Sequence, residues 1–205
     1  MGLKPLLAVV VLLAAGAGHA QDAAERIVAA RAQIGVTVHY DPAYVRIGYP
    51  HGDVPMDRGV CADVIVRAFR SEGIDLQTLV HEDMAAHFGA YPQSWGLRGP
   101  DANIDHRRVP NLETFFRRHG ASLPITAQVA DYQPGDIVSW RLPNGLAHIG
   151  LVSDRLAADG SGRRLVIHNI GAGTQEEDVL FAWRIVGHFR WPLPSASVRH
   201  GRGRR

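Results

Sequence analysis

Gly59-Val60-Cys61-Ala62-Asp63-Val64-Ile65-Val66-Arg67-Ala68-Phe69-Arg70 sets Val60, Cys61, Val64, Ile65, Ala68 and Phe69 on one face at helical spacing, with Asp63, Arg67 and Arg70 elsewhere. Gly73 follows as a C-terminal stop, so the stretch predicts a helix with Cys61 in its first turn. Cys61 is the one cysteine of the 205-residue chain, so it has no partner for an internal disulfide.

Working outward, Asp22 to Ala32 predicts an earlier helix: Ala23, Ile27 and Ala30 recur at helical spacing, Asp22 offers an acidic cap, and Gly35 stands just beyond Ile34. The intervening residues 36–59 are rich in Tyr, Pro, Gly and Asp and predict a long, ordered loop built from turns. Downstream, residues 76–88 behind the Asp75 cap and residues 110–119 ended by Gly120 predict two more helices. After Tyr132 the period changes. Residues 136–141, 148–154, 164–170 and 183–191 are short β-branched or aromatic runs, parted by Pro-Gly, Pro-Asn-Gly and Gly-Ser-Gly, which predicts an antiparallel sheet. Helices first and strands later make an α+β domain, with N-terminal helices packed on a small sheet.

With 46% hydrophobic residues, no internal repeat and no long low-complexity stretch, a single packed core is expected over residues 21–191. Residues 1–20 read as a secretory signal peptide, with Lys4 as the positive region, Leu6 to Ala15 as the apolar run and Gly18-His19-Ala20 as the cleavage site. That run is too short to span a bilayer, so a periplasmic or secreted chain without a transmembrane segment is expected once the leader is removed. All basic residues after Lys4 are arginines, 21 of them against 20 acidic residues, and four of the arginines fall in residues 192–205. The basic character therefore belongs to this tail, whose Pro, Ser, Gly and Arg composition predicts disorder. Export, and the lack of a basic patch interleaved with aromatics, argue against nucleic-acid binding.

A cysteine in the first turn of a helix is placed to be a nucleophile. The thiolate attacks carbonyl carbon, and a helix N-terminus with a cationic neighbour lowers a cysteine pKa from about 8.5 into the range of roughly 3.5 to 7.5. A histidine must then accept the proton and return it to the leaving amine. His148 opens a strand soon after Pro143-Asn144-Gly145, and His168 lies on the following strand, where parity puts Val166, His168 and Ile170 on one face and Asn169 on the other. Either His168 or Asn169 can fix the tautomer of the base.

In order and wording, Cys61 at a helix start, Pro134-Gly135-Asp136-Ile137-Val138, Ala147-His148-Ile149-Gly150-Leu151-Val152 and Val166-Ile167-His168 resemble the NlpC-like branch of papain-fold cell-wall peptidases. The resemblance implies a papain-like fold with Cys61 as nucleophile, His148 as base and His168 as orienter. Tyr49 stands where that family often has a tyrosine that helps bind the oxyanion. It also implies a peptide or amide bond of peptidoglycan as substrate and no cofactor. Two departures stand out: the family's usual Asp-Cys-Ser-Gly is here Val60-Cys61-Ala62-Asp63, and residues 81–118 read as an insertion. The mature chain further resembles an uncharacterised family of secreted bacterial proteins carrying a domain of unknown function, through Gly-Val-Cys-x-Asp, His-Glu-Asp-Met, Asn-Ile-Asp-His-Arg-Arg-Val-Pro-Asn-Leu and His-Asn-Ile-Gly.

Arg58, Arg107 and Arg108, with Arg46, can grip stem-peptide carboxylates by paired hydrogen bonds, and Asp105-His106-Arg107-Arg108 is the best candidate for a substrate-facing loop. Each arginine is equally well read as a solvated surface charge; for Cys61 the downstream strands favour the nucleophile over core packing, and Asp57 or Asp63 is better read as a helix cap. Cys and His are also zinc ligands, yet no His-Glu-x-x-His or paired Cys-x-x-Cys spacing occurs, and zinc ranks second. A non-catalytic cell-envelope binding module of the same fold is the competing non-enzyme reading, and a toxin aimed at a competitor's wall would use the same chemistry.

Overall fold

A computed structural model describes residues 22–191; the expected leader and basic tail lie outside the described residues. Helix α1 (22–31) leads into the long loop, within which β1 (His39–Tyr40) and β2 (Arg58–Gly59) form a short parallel pair. Helices α2 (Cys61–Arg70), α3 (Leu76–His87) and α4 (Val109–Arg118) follow, then strands β3 (Ile137–Arg141), β4 (Ala147–Leu156), β5 (Arg164–Asn169), β6 (Thr174–Glu177) and β7 (Arg184–Phe189). The five strands form one antiparallel sheet in the order β6-β5-β4-β3-β7, so the chain is a mixed α+β structure.

The sheet is covered on both faces. Ile137, Ile149, Leu151, Ile167 and Phe189 pack with Val64, Ile65, Ala68 and Phe69 of α2 and Leu112, Phe115 and Phe116 of α4. On the opposite face Val138, Trp140, Val152 and Val166 form a smaller core with Tyr132 and Leu180, edged by Trp183 and Ile185. Each such side chain removed from water contributes about 1.5–3 kcal/mol. Gly150 is needed where it stands: a Cβ there would come within 2.5 Å of Val166 Cγ1.

Residues Cys61 to Phe69 of α2 are all buried, so the charged side chains on its polar side cannot reach solvent. Asp63 accepts the Val60 N–H at 2.6 Å, capping the helix, and takes a two-point ion pair from Arg107 at 2.9 and 3.0 Å. Arg67 binds the Asp53 carboxylate at 3.0 and 3.1 Å and also reaches Thr37 Oγ1 and the carbonyls of Val54 and Arg58. These bonds make the loop over 36–59 ordered: its carbonyls satisfy charges that α2 buries.

Three features differ from the sequence expectation. The loop contains the β1–β2 pair, β4 runs on to Leu156, and the edge strand β6 is new. Thr174-Gln175-Glu176-Glu177 has the polarity of a loop, but its backbone is enlisted by β5 at the sheet edge, where half-exposed polar residues are tolerated.

Asp63→Ala is expected to destabilise the protein by about 3–5 kcal/mol, because it strands the buried Arg107 guanidinium as well as removing the cap. Urea unfolding of the variant beside Arg107→Met checks this; losses under about 1 kcal/mol for Asp63→Ala would show that the pair does not hold α2.

Candidate active site

Hydrogen-bond parity along β4 decides where the sulfur of Cys61 goes. Val152 exchanges bonds with the β3 side, its N–H reaching Asp136 O at 2.8 Å and its carbonyl taking Gly135 N–H at 2.8 Å. Residues of opposite parity therefore aim their N–H at β5. Leu151 is paired with Ile167, but the β4–β5 ladder goes no further toward Ala147. The N–H of Ile149 points into the space that β5 has left, on the side where Cys61 packs, close enough to the sulfur to favour its thiolate. Asn169, at the end of β5, holds the other side, donating from Nδ2 to Gly59 O at 3.1 Å just before Cys61.

Ala147 lines the same cavity as Cys61, and Ile149 touches the sulfur, so the two neighbours of His148 flank the nucleophile candidate. The His148 ring alternates to the other side of the strand, where it stacks on Trp140 with 5.6 Å between centroids and meets Trp183 edge-on. Its Nε2 lies 2.8 Å from His168 Nδ1, and His168 Nε2 lies 3.0 Å from the Glu177 carboxylate. A carboxylate only accepts, so His168 carries its proton on Nε2 and offers Nδ1 as an acceptor. His148 must then donate from Nε2, which leaves its Nδ1 as the basic atom.

The partner of His148 is thus His168, while Asn169 serves the backbone before Cys61. Glu177 was not anticipated, since its strand was not. Its signal is visible only in the register: His168 pairs with Gln175, and Glu177 projects from the same face two residues on.

Burial reverses the expected chemistry of the thiol. Cys61 is 3% exposed, and this pushes its pKa up to about 12, against the pull of the Ile149 N–H and the first-turn amides and with further help from Asp63. The helix terminus does not prevail, because the thiolate would lose its water and face the neighbouring Asp63 carboxylate. His148 is driven down to about 3 by burial and then by the charge on His168, and burial also lowers His168 despite Glu177. At rest the thiol and the imidazole are both neutral, and they stand on opposite faces of the sheet with no hydrogen bond between them among the described residues.

The cavity over Cys61 has a volume of about 370 Å³, with Tyr40, Tyr44, Trp95, Arg107 and Arg108 among its walls. Tyr40 is partly exposed, and dehydration of its buried side together with the nearby Cys61 and Asp63 raises its pKa to about 12, so it keeps its proton. Several sequence candidates stand elsewhere. Tyr49 packs edge-on to His81 at 5.1 Å and is not in the cavity wall, so Tyr40 and Tyr44 are the tyrosines available there. Arg58 is outside it, paired with Asp57 and Asp41. His106 is buried, with its pKa lowered to about 4 by burial, and its 3-10 turn (Asp105–Arg107) turns it into the protein instead of toward substrate. Asp136 of the Pro-Gly-Asp run is structural, bonded to His188 at 2.9 Å and to Arg190 at 2.7 and 2.8 Å. Among the described residues no three His, Cys, Asp or Glu side chains converge to hold a metal, so the zinc alternative finds no ligand set there.

Residues 27–191 match the family described as "Domain of unknown function (DUF1287)". The chain is 67% identical over 162 residues to the "Uncharacterized protein YijF" of Escherichia coli (strain K12), covering 79% of this chain and 78% of the relative. No solved structure matches the chain.

Two measurements check these protonation states. Iodoacetamide modification of Cys61 is expected to quicken about tenfold per pH unit from pH 6 to 10 without levelling off; a plateau below pH 8 would contradict the buried neutral thiol. His148 titrates near 6.5 when unfolded and about 3 when folded, so its contribution to stability is complete above about pH 6.5 and is lost as pH falls toward 3. Urea midpoints between pH 7 and 4 should therefore fall more steeply for the wild type than for His148→Gln; parallel slopes would refute the depressed imidazole.

Proposed function

The chain belongs to the DUF1287 family, and on that footing we propose that it is an exported cysteine hydrolase of papain-like, NlpC-like architecture that cleaves a peptide or amide bond in peptidoglycan stem peptides. The observation that carries this reading is the notch between β4 and β5, where the sulfur of Cys61 rests against the strand that holds His148, with His148 backed in turn by His168 and Glu177.

The proposed reaction requires His148 Nδ1, whose ring rests on the Trp140 face of β4 and not in the wall of the Cys61 cavity, to reach across and take the Cys61 proton as the sulfur attacks the carbonyl carbon. Because the thiol and imidazole are both neutral at rest, proton transfer accompanies attack and no thiolate waits for substrate. The first-turn N–H groups of α2, with the Tyr40 hydroxyl as a further donor, hold the oxyanion. Collapse of the tetrahedral adduct returns the proton from His148 to the leaving amine, and water then cleaves the thioester by the same route. Export rests on the expected leader over residues 1–20 and is part of the proposal.

The buried thiol specifically favours a second reading, a cell-envelope binding module that keeps the architecture without the reaction. Digesting purified peptidoglycan with the mature protein and weighing the fragments separates the two. Hydrolysis that falls at least about a thousandfold in Cys61→Ala supports the enzyme; an alanine variant as active as wild type overturns it, and binding without any cleavage by wild type supports the module. Glu177→Gln, which no longer fixes the His168 tautomer, is expected to lower kcat about ten- to a hundredfold with KM little changed. With His148 near 3 and Cys61 near 12, kcat/KM should be level from pH 5 to 9, and a bell centred near pH 6.5 would exclude this proton route.

A further inference from the structure

We propose that Arg108, held against Trp95 in the wall of the Cys61 cavity, recognises a carboxylate, so that the cavity takes peptidyl ligands bearing a free acid group. This rests on the cavity being the substrate site and adds the class of ligand it selects.

The arginines suggested by sequence are not equivalent once their donors are followed. Arg107 is committed: Nε and Nη2 go to Asp63, Nη1 to Ala43 O at 3.1 Å and Nη2 also to Asp41 O at 3.1 Å. Arg58 is occupied outside the cavity by Asp57 and Asp41. Arg108 spends only Nη1, on Asp105 Oδ1 at 3.2 Å, and among the described residues its Nε and Nη2 donate to no protein acceptor. Its guanidinium carbon lies 4.3 Å from the Trp95 ring centroid, which fixes the plane of the fork while leaving its edge open.

The surroundings suit an anion. Among the described residues two arginines line the cavity and no carboxylate does. The acids that balance them stand behind the wall: Asp105 is 1% exposed and bonded to Arg108, and Asp101 accepts the Tyr44 hydroxyl at 2.9 Å. Partial burial weakens water's competition for the guanidinium and strengthens a charge-assisted bond to an entering carboxylate. A volume of about 370 Å³ is at the small end of ligand cavities, and with Cys61 and Arg108 both in its wall it suits a short acidic peptide.

The test uses the Cys61→Ala protein, in which no turnover occurs, and follows the Trp95 indole N–H by NMR. The probes are N-acetyl-alanyl-glutamate and its neutral counterpart N-acetyl-alanyl-glutaminamide. The acid is expected to bind about tenfold or more tightly than the amide. That gap should narrow with added salt, shrink in Arg108→Lys, which lacks the planar fork, and vanish in Arg108→Met. Equal binding of the two probes, or a preference that survives in Arg108→Met, overturns the inference. So does failure of both probes to bind a protein whose wild type digests peptidoglycan, an outcome that leaves the proposed reaction standing. An acid preference that depends on Arg108 in a protein without hydrolytic activity supports the inference and removes the reaction.

Discussion

A helix buried on every side must satisfy its internal charges from other parts of the chain, and α2 does so through Asp63 and Arg67. Asp63 closes the helix start and binds Arg107, whose remaining donors hold the carbonyls of Asp41 and Ala43. Arg67 draws in Asp53 and the carbonyls around Arg58. The loop before Cys61 and the turn carrying Arg107 and Arg108 are therefore fixed by one set of buried ion pairs. A fold of this kind cannot lose a single member cheaply, because each partner left behind would be a dehydrated charge. The same pairs build two walls of the cavity over Cys61, so stability and site geometry depend on the same bonds.

The second constraint is the departure of β5 from β4. A continuous ladder would have used the Ile149 N–H and left no room for a side chain in the plane of the sheet. By parting after Leu151 and Ile167, the strands leave a donor and a gap, and the first residue of α2 stands beside them. The cost is that the sulfur becomes dry. Its proton is then held more tightly than in water. Glu177, His168 and His148 form a hydrogen-bonded chain on the opposite face of the sheet, where Trp140 and Trp183 confine the rings.

Much of this was legible in the residues themselves. The helix beginning at Cys61, the hairpin turned by Pro143-Asn144-Gly145 and the facing of His168 toward His148 follow from local periodicity, because apolar spacing and turn residues report on neighbours a few positions away. The edge strand β6 escaped because polar Gln175, Glu176 and Glu177 carry no strand signal of their own and are recruited by β5. Tyr49, put forward through the resemblance, gives way to Tyr40 for a related reason: both lie in a loop rich in turns, and only the path set by Arg107 and Arg67 decides which of them reaches the cavity.

The sequence by itself determined the α+β order of elements, the helix start at Cys61 and the placing of His148 and His168 on neighbouring strands, since these depend on spacing along the chain and on side-chain type. Tertiary structure alone decided which arginine keeps free donors, which acid stands behind His168, and that the Cys61 thiol is neutral. Those properties depend on dehydration and on charges brought together from distant positions, and no pattern within a single stretch of sequence encodes the field that its neighbours create.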